Sequence, residues 1–329
     1  MFRYIYAFFN FYIKFLKNLI EIQQLQQFDN LEIIARQVVE GTIIGLHRSP
    51  FHGFSVEFAE HRLYNSGESI KHIDWKLFAR TEKLFVKCFE EETNLRSYIL
   101  IDTSSSMLFP WQAKNTRSEI ISTQSKIVFS AYCAAALVYL LHKQRDASGL
   151  ALFSDDIELF IDSKLTSLHT KRIYGEIGKL LHTDTLSLKR TTNTSGVLHQ
   201  IAENIHKRSL IIIFSDMLET GNADDIFPAL QHLRYNKHEV ILFHVTDKKH
   251  EEEFEFKNRP YKFIDLETGD EVRFNPNDIR NEYKQSVNEY FSELKLKCGQ
   301  YNIDLINADI NNDFKDILIP YLIKRKKLF

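Results

Sequence analysis

Tyr98-Ile99-Leu100-Ile101-Asp102-Thr103-Ser104-Ser105-Ser106 is the stretch from which the rest of the chain can be read. An apolar run gives way to a carboxylate and then to hydroxyls spaced two apart. A short run without polar alternation is the pattern of a strand buried on both faces, as in the centre of a parallel sheet. The pattern returns at Leu210-Ile211-Ile212-Ile213-Phe214, which runs into Ser215-Asp216. Open α/β sheets hold ligands beyond the carboxyl ends of such strands, where the strand order reverses. If the two strands are neighbours, Asp102, Ser104, Ser106 and Asp216 converge on a hole lined with oxygen. Donors of that kind suit a hard cation, Mg²⁺ or Mn²⁺.

Outward from these runs, strands and helices alternate. Strands are expected at Ser97–Asp102, Ser148–Phe153, Leu210–Ser215, Glu239–Val245 and Ile303–Ile306, with an edge strand at Ile157–Ile161. Helices are expected at Ser125–Gln144, Leu168–Leu181, Gly196–Lys207, Asp224–Tyr235, Asp278–Leu296 and Asn312–Lys324. The segment 254–274 breaks the alternation and reads as a hairpin turning at Thr268-Gly269-Asp270. Upstream, Leu31, Ile34, Ala35 and Val38 form one helical stripe. Residues 41–96 lack helical periodicity for most of their length, and pieces such as Phe54-Ser55-Val56-Glu57-Phe58 alternate. The fold class expected is α/β, a doubly wound and mostly parallel sheet preceded by a small β-rich module. The expected domains are an extension at 1–30, a helix plus β-rich module at 31–95, and the sheet domain at 96–329.

Bulk composition excludes several classes. Lys plus Arg number 42 against 44 Asp plus Glu, so no global field draws nucleic acid. Cys88, Cys133 and Cys298 form no C-x-x-C pair, which points to reduced thiols in a cytoplasmic protein. No Walker loop, dinucleotide loop or nucleophile elbow occurs, so any ATP hydrolysis would belong to a partner. The first 20 residues are aromatic and basic without an acidic group. They read as a helix lying on a membrane surface, as one packed on the protein body, or as an extension left disordered. Their uncharged core, Tyr4 to Ile13, is about half of the ~20 residues a bilayer span requires. The runs Glu90-Glu91-Glu92 and Glu251-Glu252-Glu253 read as solvated surface.

Asp102-x-Ser104-x-Ser106 followed by Met107 resembles the metal-ion-dependent adhesion site of von Willebrand factor A domains. That resemblance implies a threonine from a later loop and an aspartate after the fourth strand. Asp216 matches the aspartate. Thr194, just before the Gly196 helix, is the choice for the threonine, with Thr191 or Thr192 as alternatives. Upstream, Arg62-Leu63-Tyr64-Asn65-Ser66-Gly67-Glu68, then Ile73-Asp74-Trp75, Ala79-Arg80 and Val86-Lys87, resemble the signature of the domain-of-unknown-function-58 family. Within it Arg62, Tyr64, Gly67, Asp74, Trp75 and Arg80 are the signature positions. Trp75 is expected as an anchor, with Asp74 bonded to Arg62 or Arg80.

The resemblance implies a non-enzymatic, metal-dependent interaction module. It would serve as an adaptor or co-chaperone to a MoxR-type AAA+ ATPase, and a carboxylate of the partner would complete the metal site. The competing class is a metal-dependent phosphohydrolase of haloacid-dehalogenase-like geometry, which needs a second aspartate two residues after the first. Ser104 stands there, without comparable acid/base capacity.

Overall fold

The structure is a computed structural model that describes residues 31–33, 35, 36, 39, 58–64, 75–89, 95–110, 125–181, 193–218, 225–312 and 317. The expected extension at 1–30, the positions Gly67, Asp74, Thr191 and Thr192, and nearly all of the expected closing helix lie outside these residues.

The chain divides into two compact units, Ser49–Leu95 and the combination of Met1–Arg48 with Arg96–Phe329. The helical residues at 31–39 therefore group with the larger unit instead of the expected 31–95 module. Leu31, Ala35 and Val39 are buried at helical spacing, and the charge of Glu32 is felt by Tyr174.

In the small unit β1 (Phe58–Leu63) pairs antiparallel with β2 (Phe85–Phe89), and Arg62 lies opposite Val86. Between them α1 (Trp75–Thr81) forms within the module read as β-rich. Trp75 does not anchor: 58% of its surface is exposed, and its ring meets only the edge of Phe78 among the described aromatic pairs. Arg80 is also exposed.

The large unit is built on β3 (Arg96–Asp102), β4 (Ala147–Phe153), β5 (Ile157–Lys164), β6 (Leu210–Ser215), β7 (Glu239–Thr246) and β10 (Asp304–Asp309). The six stand in the order β10-β7-β6-β3-β4-β5. All neighbours are parallel except the β4–β5 pair, so β5 is an antiparallel edge, as its alternating burial indicates. From β3 the chain adds strands on one side, then crosses back and adds β6, β7 and β10 on the other. The reversal falls between β3 and β6, the expected neighbours.

The helices are α2 (Lys126–Lys143), α3 (Ser167–Lys179), α4 (Thr194–Asn204), α5 (Ile226–Tyr235) and α6 (Pro276–Gln300). Alternate residues of a strand point to opposite faces. Tyr98, Leu100, Ile211 and Ile213 join one core with Val197, Ile201, Leu230 and Leu233 of α4 and α5. Ile99, Ile101, Ile212 and Phe214 are equally buried, and α2 packs on β3, β4 and β7. By length and composition α2 could cross a membrane, yet 14 of its 18 residues are buried in this unit. Gly149 is required where it stands, since a Cβ there would lie 2.7 Å from both the Ile161 carbonyl and the Tyr98 ring. The hairpin of β8 (Tyr261–Ile264) and β9 (Glu271–Phe274) forms as expected. A π-helical turn at Lys248–Glu252 precedes it and was not expected.

Candidate functional site

The end of β3 is shaped by its own side chains. Asp102 accepts a bond from the Ser104 N–H at 2.9 Å, which bends the chain out of the strand. Ser104 then caps a single 3-10 turn, Ser105–Leu108, by accepting from the Met107 N–H at 3.1 Å. This turn brings the Ser104 and Ser106 hydroxyls within 3.0 Å of each other. Asp102 and Ser104 are fully buried, whereas Ser106 is half-buried and faces outward.

The end of β6 is shaped in the same manner. Ser215 donates its hydroxyl to Asp102 Oδ2 at 2.8 Å and accepts from the Met217 N–H at 2.9 Å. Asp216 Oδ1 accepts from the Leu218 N–H at 3.2 Å. Between these bonds Met217 takes a left-handed conformation, φ 53°, which a side chain tolerates only when its surroundings enforce it. Tyr290 of α6 enforces it by donating to the Met217 carbonyl. His244 of β7 donates from Nε2 to the Asp216 carbonyl at 3.1 Å, so that nitrogen carries a hydrogen. Burial first, with Lys126 opposing the pull of Asp216, lowers its pKa to about 4.

The structure thus brings Asp102, Ser104, Ser106 and Asp216 to one place at the carboxyl edge. Thr194 reaches the same edge as the fully buried first residue of α4. Its neighbour Asn193 bonds the carbonyl of Ser154 just beyond β4 at 3.2 Å.

Two participants were missed. Lys126, at the start of α2, is fully buried, and its ammonium lies 2.7 Å from Asp216 Oδ2 and 2.6 Å from Glu251 Oε1. Burial by itself would lower the lysine pKa; the two carboxylates outweigh it and hold the group charged. Glu251, expected on a solvated surface, is only 21% exposed. Its other oxygen accepts from the Asp247 N–H at 2.7 Å. A lysine opening an otherwise apolar helix was the available signal for this pair.

The two aspartates therefore differ. Asp216 has a cation, and Asp102 has none among the described residues. Its bonds come from the Ser104 amide and from the Ser104 and Ser215 hydroxyls. Burial, followed by the neighbouring Asp216 charge, pushes its pKa up to about 7. A buried carboxylate in that position either takes a proton or takes a cation. With Asp102, Asp216 and Glu251 ionised beside one ammonium, the deficit is two charges, which one divalent ion would meet. The donor set on the β3 side, a carboxylate and two hydroxyls, fits a hard cation. Among the described residues no three His, Cys, Asp or Glu side chains cluster to hold a metal, so any ion would lean on hydroxyls.

Residues 60–291 match the family model described as protein of unknown function DUF58. The chain belongs to the DUF58 family. An uncharacterized protein of Mycobacterium tuberculosis H37Rv is 27% identical over 99 residues. That match covers 30% of this DUF58 chain, which spans only 31% of the length of the curated relative. Among solved structures, BatB from Bacteroides thetaiotaomicron is 13% identical, with 71% of this chain and 99% of that one covered and a TM-score of 0.38. An aerotolerance-related membrane protein from Bacteroides fragilis is 14% identical over 68% of this chain and 96% of that one, with a TM-score of 0.39.

Proposed function

We propose that this DUF58 chain is a non-enzymatic, metal-dependent protein-interaction module whose sheet unit is of the von Willebrand factor A kind. One observation carries the reading: a fully buried Asp102 without a cation among the described residues, set beside two serine hydroxyls where the strand order reverses. Mg²⁺ or Mn²⁺ would sit against Asp102, Ser104 and Ser106, with Thr194 and Asp216 behind. Hydroxyl ligands leave such an ion under-neutralised, a Lewis acid open to one more oxygen. The half-buried Ser106 marks the side from which a partner's Asp or Glu would enter. By family resemblance the partner is a MoxR-type AAA+ ATPase or its client. The chain would then be a cytoplasmic adaptor that meets the membrane, if at all, through residues 1–20.

The phosphohydrolase reading is weaker because it needs an acid/base two residues after the nucleophile, and Ser104 cannot supply one.

The test is capture of partners from native lysate by tagged protein, in Mg²⁺ and in EDTA, beside Ser104→Ala. Retention of an AAA+ ATPase or its client only by wild type with metal is the expected result. Equal capture in every condition would overturn the metal-gated reading. Phosphatase turnover lost in Asp102→Asn would install the alternative.

A further inference from the structure

Lys126 stands where no metal-site reading would place a cation. Its backbone N–H is tied to the Phe109 carbonyl at 3.0 Å, so the first residue of α2 is fixed to the chain just beyond the 3-10 turn. Its ammonium reaches two carboxylates from segments 90 and 125 residues away. Both oxygens of Asp216 are then engaged, Oδ2 by Lys126 and Oδ1 by the Leu218 amide. An ammonium is a point charge with three donors, and a divalent ion brought to the same carboxylate must compete with it. The tethered group has the advantage of effective concentration, because it never diffuses away.

We propose that Lys126 is a built-in cation that keeps Asp216 and Glu251 out of the metal site. It confines the divalent ion to Asp102, Ser104 and Ser106 and sets a weak, exchangeable affinity. The proposal rests on the reading that a divalent cation binds here at all. In its terms Lys126 is an affinity-determining residue, and Asp216 is a spectator of metal binding in the native protein.

Mn²⁺ is the probe, titrated into the full-length protein and followed by electron paramagnetic resonance of the free ion. Asp216→Asn should bind Mn²⁺ within threefold of wild type. The double variant Lys126→Met/Glu251→Gln keeps the net charge of the site and frees Asp216. It should bind at least tenfold more tightly, and adding Asp216→Asn to it should cancel the gain. No binding by wild type, whatever the double variant does, overturns the metal reading and the proposal with it. Equal binding by wild type and double variant, or a gain that survives Asp216→Asn, overturns it and leaves the metal reading standing. No binding by any of the proteins overturns both. If the double variant does not fold, Asp216→Asn alone decides, and a loss above threefold overturns the proposal.

Discussion

Asp102 and Asp216 follow adjacent parallel strands, and both are almost wholly withdrawn from water, yet their surroundings treat them in opposite ways. Asp216 is neutralised by an ammonium 2.7 Å away and locked by the Leu218 amide, so its charge is part of the folded architecture. Asp102 receives an amide and two hydroxyls but, among the described residues, no cation, and burial pushes its pKa up to about 7. The pair teaches that two carboxylates in equivalent places need not share a role. One braces the end of β6 against α2, and the other is left with unmet demand for a positive charge.

The comparison is broken most forcefully from the Asp216 side. Lys126→Met strands two carboxylates in a dry site and should cost about 3–5 kcal/mol of stability, the range for breaking a buried pair. Chemical denaturation reads it, and a loss below 1 kcal/mol would show that the ammonium does not hold the fold. On the Asp102 side the expectation is reversed. A carboxyl whose folded pKa exceeds its unfolded value is protonated in the native state while the unfolded chain has lost the proton. Stability from this group is therefore full below pH 4 and falls as pH rises toward about 7, by up to about 4 kcal/mol. Asp102→Asn should remove that fall, so that in EDTA the variant equals or exceeds wild type at pH 8. A variant less stable than wild type at every pH would contradict the unmet-charge account.

Smaller changes sharpen the contrast. Ser215→Ala deletes the hydroxyl that links the two strand ends, and the loss should be about 1–3 kcal/mol, the cost of unsatisfying buried groups. The same variant should extend the pH-dependent fall of stability to higher pH, because one bond favouring the ionised Asp102 is gone. Ser104→Ala removes a hydroxyl that bonds Ser106 at 3.0 Å and also Asp102, and stability should fall by about 1 kcal/mol. Partner capture in Mg²⁺ should nonetheless disappear. Circular dichroism showing that Ser104→Ala unfolds would make the hydroxyl structural.

Much of this arrangement could be read before any coordinates. The unbroken apolar runs at 98–101 and 210–214 are long enough to identify buried strands, and both emerge as neighbours at the centre of the sheet. The hydroxyl spacing at 102–106 is local, so the turn that gathers Ser104 and Ser106 follows from chain geometry. Failures came where the decisive contact is distant in sequence or where propensity and context disagree. The helix at Trp75–Thr81 formed inside a module read as β-rich, since seven residues are too few for a clear period. Trp75, expected inside, stays exposed.

By itself the sequence determined the sheet's central strands and the oxygen-bearing residues at their carboxyl ends. These rest on interactions within a few residues or on hydrophobic pattern, which a linear string records. Only the tertiary structure decided which carboxylate has a cation. Glu251 lies in a run of three acids that looks solvated, and Lys126 is a single charge opening an apolar helix. Nothing along the chain joins them across 125 residues. The folded sheet brings them together and removes the water that would otherwise have kept them indifferent to each other.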